Sequence, residues 1–259
     1  MGALYDRIGI DYHRLRRPDP RLAAQIAAGL GDARSVLNVG AGAGSYEPRD
    51  RRVLAIEPAL TMIRQRPADA APVIRASATA LPLRDASVDA ATAFLTLHHW
   101  ADRAAGLAEL RRVAKRRVVL FTWLSSFARA LWVNEHYFPE VIAMDAGRFP
   151  TVEQLEGELG PVAVRVIPVP HDCTDGFYGA WWRRPEAFLD PKVRAGISVL
   201  QQLDPPVLAR GLAALARDLD SGAWAARHRH LAALDELDLG YRLIVWERPE
   251  REASVTGGC

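Results

Sequence analysis

The stretch NVGAGAGS at residues 38–45 begins with the last two residues of a short apolar run at residues 35–39. From residue 40 onward it has glycine at every second position. Glycine has no Cβ atom, so such a loop can turn tightly and let a ligand approach the backbone. A dinucleotide-binding fingerprint needs glycines at its first, third and sixth positions, but here the sixth position holds Ser45 or Glu47, depending on the starting glycine. The spacing therefore argues against NAD binding.

Apolar runs alternate with helical patterns along most of the chain. Runs of 3 to 9 residues predict seven buried β-strands, at residues 35–39, 52–56, 73–75, 90–97, 117–123, 162–169 and 241–246. Apolar residues at helical spacing predict helices, at residues 21–30, 101–115 and 151–159. Strands alternating with helices indicate an α/β fold, a doubly wound, seven-stranded, mostly parallel sheet with helices on both faces.

One connection departs from a regular alternation, and one helix has clear end signals. Twelve residues, 40–51, join the first two strands and include Pro48, so the crossover helix there is predicted to be at most about one turn. The helix at 151–159 has a clear beginning and end, because Thr151 and Gln154 match a capping box and Gly160 follows as a stop signal.

Residues 175–238 interrupt the alternation just before the last strand. Their pattern is helical with several prolines, which predicts an inserted helical cap. Its stripe of Leu212, Leu215, Ala216 and Leu219 is predicted to face the core, with a partner chain as the alternative. The predicted domains are a cofactor-binding core at 1–174 and 239–250, the helical cap, and a flexible tail at 251–259.

Composition excludes several classes of protein. The chain has 259 residues, 49% of them hydrophobic and 25% charged, which are average values for a globular protein and exclude a disordered one. The longest apolar run, at 118–124, falls well short of the about 20 residues that a membrane helix needs. A net charge of +2 does not favour nucleic acid as a partner. Two cysteines and no secretory signal pattern lead us to expect a cytoplasmic protein.

Four ordered stretches together resemble the class I S-adenosylmethionine-dependent methyltransferases of the small-molecule type. These are the glycine loop, Glu57 at 17 residues after Gly40, the segment at 80–89, and the strand end at 95–100 with the helix at 109–113. The resemblance implies S-adenosyl-L-methionine as cofactor and Glu57 as acceptor for both ribose hydroxyls, since a carboxylate offers two acceptor oxygens.

The resemblance also implies a set of cofactor-binding residues. They are Tyr12, Arg16, Asn38, Gly40, Ala41, Gly42, Gly44, Glu57, Pro58, Ser77, Ala78 and Leu97. Family members often have aspartate where Ser77 stands, so the adenine contact is expected to be largely through backbone. Arg16 lies four residues after Tyr12 and could meet the methionine carboxylate as a bidentate partner; a solvated basic helix is the alternative.

His98 and His99 are the candidate catalytic residues. They follow the fourth strand at the carboxyl edge of the predicted sheet, where open α/β sheets bind ligands. A histidine near its ordinary pKa can take a proton from the methyl acceptor. On an extended segment only one of two neighbours would face the site, and a histidine bonded to backbone at a strand end is the alternative.

Aromatic residues after the fifth strand and at the start of the helical cap could form a wall for a planar or hydrophobic acceptor, or they could simply be core. The candidates are Trp100, Trp132, His136, Tyr137, Tyr178 and Trp181. The sequence does not choose between oxygen, nitrogen and carbon as the methylated atom.

The other motifs predict no second site. Residues 171–173, His-Asp-Cys, lack further ligands at metal-binding spacing, so we expect no metal. The basic run at 111–117 is typical of a solvated helix end. We expect a small-molecule substrate, no nucleic acid, no membrane, and a monomer or homodimer. A non-catalytic protein that binds S-adenosylmethionine and an RNA methyltransferase are the competing hypotheses.

Overall fold

The computed structural model describes residues 15–249. Its main sheet has seven strands, which are β1 (Ser35–Val39), β2 (Arg52–Ile56), β3 (Val73–Ile74), β4 (Val88–Phe94), β5 (Ala114–Trp123), β6 (Val162–Val166) and β9 (Tyr241–Glu247). A separate two-stranded sheet pairs β7 (Val169–Pro170) with β8 (Glu236–Leu237). The predicted seven-stranded α/β fold is confirmed.

Strand order in the main sheet is β3-β2-β1-β4-β5-β9-β6. Neighbouring strands from β3 to β5 are parallel, whereas β9 runs antiparallel to both β5 and β6. The chain leaves β1 toward β2 on one side and leaves β4 toward β5 on the other. This divergence opens a crevice at the carboxyl ends of β1 and β4, where doubly wound folds bind ligands.

Helices cover both faces of the sheet. Along residues 15–166 they are α1 (Pro20–Gly29), α2 (Leu60–Arg64), α3 (Arg103–Val113), α4 (Trp132–His136), α5 (Pro139–Asp145) and α6 (Val152–Leu159). One face packs on α1, and the opposite face packs on α3 and α6. The helices predicted at 21–30, 101–115 and 151–159 are confirmed as α1, α3 and α6, including the capping box of Thr151 and Gln154.

The run at 162–169 is not one buried strand as the sequence predicted. Only residues 162–166 form β6, and Val169 belongs to the second sheet. Because β6 is the edge strand and pairs with β9 alone, its side chains are largely in solvent, with Val164 at 41% and Val166 at 49% exposed. Hydrophobic composition indicated a strand but not its place at the edge of the sheet.

The connection between β1 and β2 consists of turns and contains no helix within residues 40–51, which agrees with the prediction of at most one turn. A shortened connection keeps the glycine loop close to the ends of the strands. It also removes the helix that normally packs behind this loop, so other groups must hold the loop in place.

Short helices make up most of residues 175–238. They are α7 (Pro191–Ala195), α8 (Pro205–Asp220), α9 (Ala223–Arg227) and the 3-10 turns Tyr178–Trp181, Pro185–Leu189, Leu200–Gln202 and Arg229–Ala233. This segment shares a continuous hydrophobic core with one face of the sheet, through residues such as Phe177, Trp182 and Leu243. Leu215 is fully buried and Leu212 and Leu219 pack beside it, so the stripe on α8 faces the core.

Gly211 marks the closest approach of α8 to the segment between α4 and α5. A Cβ atom there would lie 2.1 Å from Phe138 Cε1 and 2.7 Å from the carbonyl oxygen of Tyr137. We expect Gly211→Ala to destabilise the protein by about 1–3 kcal/mol through overpacking, although alanine favours helices. Denaturant unfolding measures the change.

Gly157→Ala in α6 is the matched control, since nothing lies within 4 Å of a Cβ atom at that position. Here helix propensity alone should stabilise the protein by about 0.5–1 kcal/mol. Equal effects of the two substitutions would contradict the steric explanation for Gly211.

Candidate active site

Three cavities meet at the crevice. The loop cavity lies over the glycine loop and is lined by Arg16, Asn38, Gly40, Ala41, Gly42, Ala43, Ser45, Tyr46, Glu57, Met62, Phe94, Leu95, Thr96 and His99. The edge cavity follows the end of β2 and is lined by Gly40, Glu57, Pro58, Ala59, Ser77, Ala78, Thr79, Thr96, His99, Trp100 and Ala101. The inner pocket lies toward the helical cap and is lined by Arg16, Leu95, His98, His99, Trp123, Leu131, Asp145, Arg148, Phe149, Phe177, Tyr178, Gly196, Ile197, Ser198, Val199 and Tyr241.

The three cavities are direct neighbours, because they share wall residues. Gly40, Glu57 and Thr96 belong to both the loop cavity and the edge cavity. Arg16 and Leu95 belong to both the loop cavity and the inner pocket. His99 lines all three, so it lies at their junction.

The glycine loop passes very close to the end of β4. Gly40 has φ +71° and Gly42 has φ +53°, a left-handed region that favours glycine. A Cβ atom at Gly40 would lie 2.2 Å from Thr96 Oγ1, which no larger residue could tolerate without movement of the strand end. At Gly40 the glycine is thus required by a protein neighbour, Thr96, and the predicted approach of a ligand to the loop stays a prediction.

Glu57 lies between the loop cavity and the edge cavity. Its carboxylate accepts hydrogen bonds from the backbone N–H of Gly42 at 2.8 Å and of Ala59 at 2.9 Å. Burial raises the pKa of this carboxyl above its usual value in spite of those bonds. Each carboxylate oxygen can accept a further hydrogen bond, so Glu57 keeps acceptor capacity toward the two cavities.

A buried ion pair holds the glycine loop where a crossover helix would otherwise pack. Arg66 donates to both oxygens of Glu47 at 2.8 Å, and its Nη1 donates to the carbonyl of Gly42 at 3.2 Å. Asn38 also donates to Glu47, at 3.3 Å. The pair ties the loop to the turn after α2. No motif in the sequence indicated it.

Arg16 is held in the wall of the loop cavity by Asp175. Its Nε donates to Asp175 Oδ1 at 2.6 Å and its Nη2 donates to Oδ2 at 3.2 Å. The hydroxyl of Tyr46 donates to the same carboxylate at 2.7 Å, and Asp175 is fully buried. Arg16 is therefore a positioned cation beside the glycine loop. Tyr12, predicted to act with it, lies outside the described residues.

Two non-glycine residues at the cavities adopt a left-handed backbone. Leu95 has φ +50° and Tyr46 has φ +62°. Such a conformation costs roughly 1–3 kcal/mol and persists only where the surroundings fix it. For Leu95, the N–H bonded to the carbonyl of Phe121 at 2.7 Å holds the strand end. The kink turns the chain from β4 into the junction of the cavities.

Both histidines line the inner pocket, whereas an extended segment would have turned one of them away. The reason is that residues Leu97–His99 form a 3-10 turn, which brings the two rings to 3.8 Å between centroids. His98 also stacks on Phe149 at 4.3 Å, and its Nδ1 has no hydrogen-bond partner within residues 15–249.

Burial weakens both histidines as bases. It lowers the pKa of His98 well below the usual value and lowers that of His99 to about 3, with nearby Arg16 and Arg148 adding to the effect. The two side chains are therefore neutral at physiological pH. A neutral imidazole can donate or accept a hydrogen bond, but one with so low a pKa is a poor proton acceptor.

Five aromatic side chains contribute to the inner pocket wall. Trp123 meets Phe149 edge to face at 4.8 Å, and Tyr241 faces Trp123 across the β5–β9 register. Phe177 and Tyr178 come from the start of the helical cap.

One loosely paired charge couple interrupts this apolar wall. Asp145, at the end of α5, is 6% exposed, and its nearest cation is Nη1 of Arg148 at 3.9 Å. Within residues 15–249, no hydrogen bond to the carboxylate of Asp145 is present. Burial raises its pKa to about 6. Asp145 is thus a buried acid that no donor among residues 15–249 satisfies.

The structure brings most predicted cofactor residues together. Arg16, Asn38, Gly40, Ala41, Gly42 and Glu57 line the loop cavity, and Pro58, Ser77 and Ala78 line the edge cavity. Gly44 lies instead in a surface groove beside α1, because the loop has already turned outward. Leu97 is buried in the core under α3 and lines none of the three cavities.

Four of the residues predicted to bind substrate line none of the three cavities. Trp132 is buried and donates to the carbonyl of Trp182 at 2.7 Å. Tyr137 donates to Asp218 at 2.8 Å, and His136 is exposed beside His228. Trp181 lies under the guanidinium of Arg184.

The other two predictions for the substrate have different outcomes. Tyr178 lines the inner pocket, and its hydroxyl donates to Asn134 at 2.6 Å. Trp100 lines the edge cavity, on the side away from the inner pocket.

Several residues that line the inner pocket or the loop cavity were not predicted from the sequence. Tyr241 could have been found, because the last strand runs antiparallel and so begins at the edge where the parallel strands end. Asp145 and Arg148 flank a glycine between two helices and match no motif. Leu95 and Thr96 stood inside the recognised strand-end motif, but nothing distinguished them from core residues.

Residues 15–249 contain neither a candidate metal site nor a candidate membrane-spanning helix. No group of three or more His, Cys, Asp or Glu side chains is arranged to hold a metal ion there. None of the helices in that range has the length and apolar character needed to cross a membrane. Cys173 is buried, and burial raises the pKa of its thiol.

Comparison with known proteins identifies the family. A family model described as a methyltransferase domain matches residues 37–122. A crystal structure from Anabaena variabilis ATCC 29413, described as a methyltransferase from an antibiotic biosynthesis pathway, is 31% identical to this chain. It superposes with a TM-score of 0.83 over 89% of this chain and 98% of that chain. The chain belongs to the S-adenosylmethionine-dependent methyltransferases of class I.

Two more distant structures share the methyltransferase fold. The [4+2]-cyclase SpnF is 17% identical, with a TM-score of 0.52 over 89% of this chain and 81% of that chain. A protein from Galdieria sulphuraria, described as a sarcosine dimethylglycine methyltransferase, is 13% identical, with a TM-score of 0.50 over 87% and 83%. A search of curated protein sequences found no match.

The loop and edge cavities of this methyltransferase fit S-adenosylmethionine. Glu57 has acceptor capacity for a vicinal diol, and Arg16 supplies a positioned cation beside the glycine loop. The edge cavity provides apolar wall from Pro58, Ala78 and Trp100 for a planar base. Ser77 bonds to Thr79 at 2.9 Å, which agrees with an adenine contact made largely by backbone.

Glu57→Gln tests the diol contact. Glutamine keeps the shape of the side chain but replaces one acceptor oxygen with a donor. We expect S-adenosylmethionine to bind at least about tenfold more weakly, since charge-assisted bonds contribute about 1.5–3 kcal/mol each. Calorimetry measures the affinity, with Glu156→Gln on the exposed face of α6 as control. Unchanged affinity in folded Glu57→Gln would rule out Glu57 as the ribose acceptor.

Asp145→Asn tests the buried acid independently of any ligand. An acid whose pKa rises on folding, here from 3.8 to about 6, destabilises the protein above pH 6, and this effect disappears as the pH falls toward 4. The shift corresponds to on the order of 3 kcal/mol. We expect Asp145→Asn to raise the melting temperature at pH 8 and to lose that advantage by pH 4.5.

Asp172→Asn is the control for this stability effect, because Asp172 is exposed and pairs with exposed Arg21, which lowers its pKa. It should not raise the melting temperature at pH 8. An Asp145→Asn protein no more stable than the parent at pH 8 would show that the carboxylate is compensated in solution.

Proposed function

We propose that this methyltransferase methylates a small organic molecule held in the inner pocket. The observation that carries the proposal is the junction at Leu95 and His99, where a partly aromatic pocket lies next to the loop cavity. A macromolecular acceptor such as RNA would need an open basic surface at this junction. The walls of the inner pocket are partly aromatic, and the helical cap forms part of them.

S-adenosylmethionine, when bound, supplies a methyl group activated by its sulfonium sulfur, so an electron pair on the acceptor can displace a neutral thioether. The residues of this chain have three tasks. Glu57 and Arg16 hold the two polar ends of the cofactor. Trp123, Phe149 and Tyr178 enclose the acceptor and exclude water. Leu95 and His99 set where the acceptor meets the loop cavity, which determines the alignment of the attack.

Histidine is assigned an orienting role here. His99 stands at the junction, where its neutral ring can hydrogen-bond the reacting group of the acceptor. His98 forms part of the wall by stacking on Phe149. The lowered pKa values make proton abstraction by either ring a minor contribution, so the acceleration rests on alignment.

A fractionation experiment tests the proposed function. The enzyme and S-adenosylmethionine labelled on the methyl group are incubated with a cell extract, and label is then counted in the small-molecule, RNA and protein fractions. We expect label in small molecules only, and less of it with Glu57→Gln at a limiting concentration of S-adenosylmethionine. Label in RNA would replace the proposal by RNA methylation, and cofactor binding without label in any fraction would favour a non-catalytic binding protein.

Substitution of each histidine tests the orienting role. With an acceptor identified, we expect His98→Gln and His99→Gln each to lower kcat by less than about tenfold, and kcat of the parent enzyme to be unchanged from pH 6.5 to 8. A decrease of about 10²–10⁴-fold in either variant, with a kcat that rises through pH 6.5, would instead identify a general base.

A further inference from the structure

We propose that the inner pocket takes an acceptor that carries an ammonium group on an aromatic or flat apolar body, and that Asp145 anchors the ammonium. This inference rests on the proposed function, because it names the class of molecule that the inner pocket holds. The starting observation is a buried carboxylate that lines the pocket and accepts no hydrogen bond within residues 15–249.

Two other buried side-chain carboxylates near the site are each paired with an arginine at hydrogen-bond distance. Asp175 accepts from Arg16, Tyr46 and the backbone of its neighbour. Glu47 is bound at 2.8 Å by Arg66 through both oxygens. Asp145 differs from both, because its charge partner stays 3.9 Å away and is 29% exposed. Buried charges are normally paired, so this one has capacity for a donor from outside the protein.

The surroundings of Asp145 favour a cation over a neutral donor. The aromatic side chains of Trp123, Phe149, Phe177, Tyr178 and Tyr241 line the same pocket. Ring faces carry partial negative charge and attract ammonium groups, most strongly where water is excluded. A carboxylate together with several aromatic rings therefore provides a suitable site for a desolvated ammonium. A carboxylate ligand would instead have to approach Asp145 against like-charge repulsion.

The ammonium and the methylated atom are two different groups of the acceptor. Asp145 lines the inner pocket but neither the loop cavity nor the edge cavity. The nucleophile must reach the junction at Leu95 and His99 to meet the methyl group. Asp145 accordingly acts as a specificity residue that orients the acceptor, with the aromatic walls filling the space between the two ends.

Binding of three matched probes tests this assignment. The probes are 2-phenylethylamine, which is a cation below pH 9, its neutral counterpart 2-phenylethanol, and the anion phenylacetate. Affinities are measured by ligand-observed NMR titration in the presence of the demethylated cofactor product. At pH 8 we expect the ammonium to bind at least about tenfold more tightly than the other two, as a desolvated charge pair implies.

Three variants separate the anchor from general effects. Asp145→Asn should reduce the preference for the ammonium to less than about twofold. Arg148→Gln should keep the preference, because it removes a competing cation and leaves the carboxylate. Asp172→Asn, an exposed surface control, should behave as the parent protein does. An ammonium preference that survives Asp145→Asn would overturn the proposal.

The pH dependence provides an independent readout. The charged and titratable groups facing Asp145 in the inner pocket are Arg16, His98, His99, Arg148, Tyr178 and Tyr241. Burial lowers the pKa of both histidines and raises the pKa of both tyrosines, so these groups keep their protonation state between pH 5 and 8. Arginine stays cationic. The ammonium preference should therefore weaken from pH 8 to pH 5 as Asp145 is protonated.

The remaining outcomes are also decisive. A preference for phenylacetate would make Arg148 the anchor and overturn the proposal, as would failure of all three probes to bind at millimolar concentration. S-adenosylmethionine binding and methyl incorporation are measured in parallel. Loss of cofactor binding or incorporation counts against the proposed function, whereas normal values for both without an ammonium preference count against the role of Asp145 alone.

Discussion

The close approach of the glycine loop to the end of β4 is the constraint on which the rest of the site depends. A Cβ atom at Gly40 would lie 2.2 Å from Thr96, so the backbone there can only be glycine. With the loop in this position, the N–H of Gly42 meets Glu57 and the carbonyl of Gly42 meets Arg66. The loop is thus in contact with the residues that follow β2, β4 and α2, at the edge of the crevice.

Buried charges divide the site into fixed and receptive parts. The Arg66–Glu47 and Arg16–Asp175 pairs have short, bidentate geometry, and each ties the glycine loop or its wall to another element. They hold the cofactor side of the site in place without a crossover helix. Asp145 lacks such a partner, and burial raises its pKa to about 6. Burial without compensation is typical of groups kept for binding, at the expense of stability.

The helical cap contributes both to the inner pocket and to the hydrophobic core. Phe177 and Tyr178 line the inner pocket, and the same segment completes the hydrophobic core against β5 and β9. Asp175 also reaches back to fix Arg16. Segments that provide core and site together leave little freedom to vary one without the other. This explains why an aromatic-rich region contains both core residues, such as Trp132, and wall residues, such as Tyr178.

The sequence by itself determined the sheet, the glycine loop and the acid at Glu57, because local periodicity, turn chemistry and motif spacing are properties of neighbouring residues. Only the tertiary structure decided which aromatic residues line the pocket, since Trp132 and Tyr178 have similar local patterns but different partners. It also decided the neutral state of His98 and His99, which desolvation by the surrounding elements imposes. Asp145 likewise is buried by elements distant in the chain, with only Arg148 as a loose charge partner, so no local pattern encodes its environment.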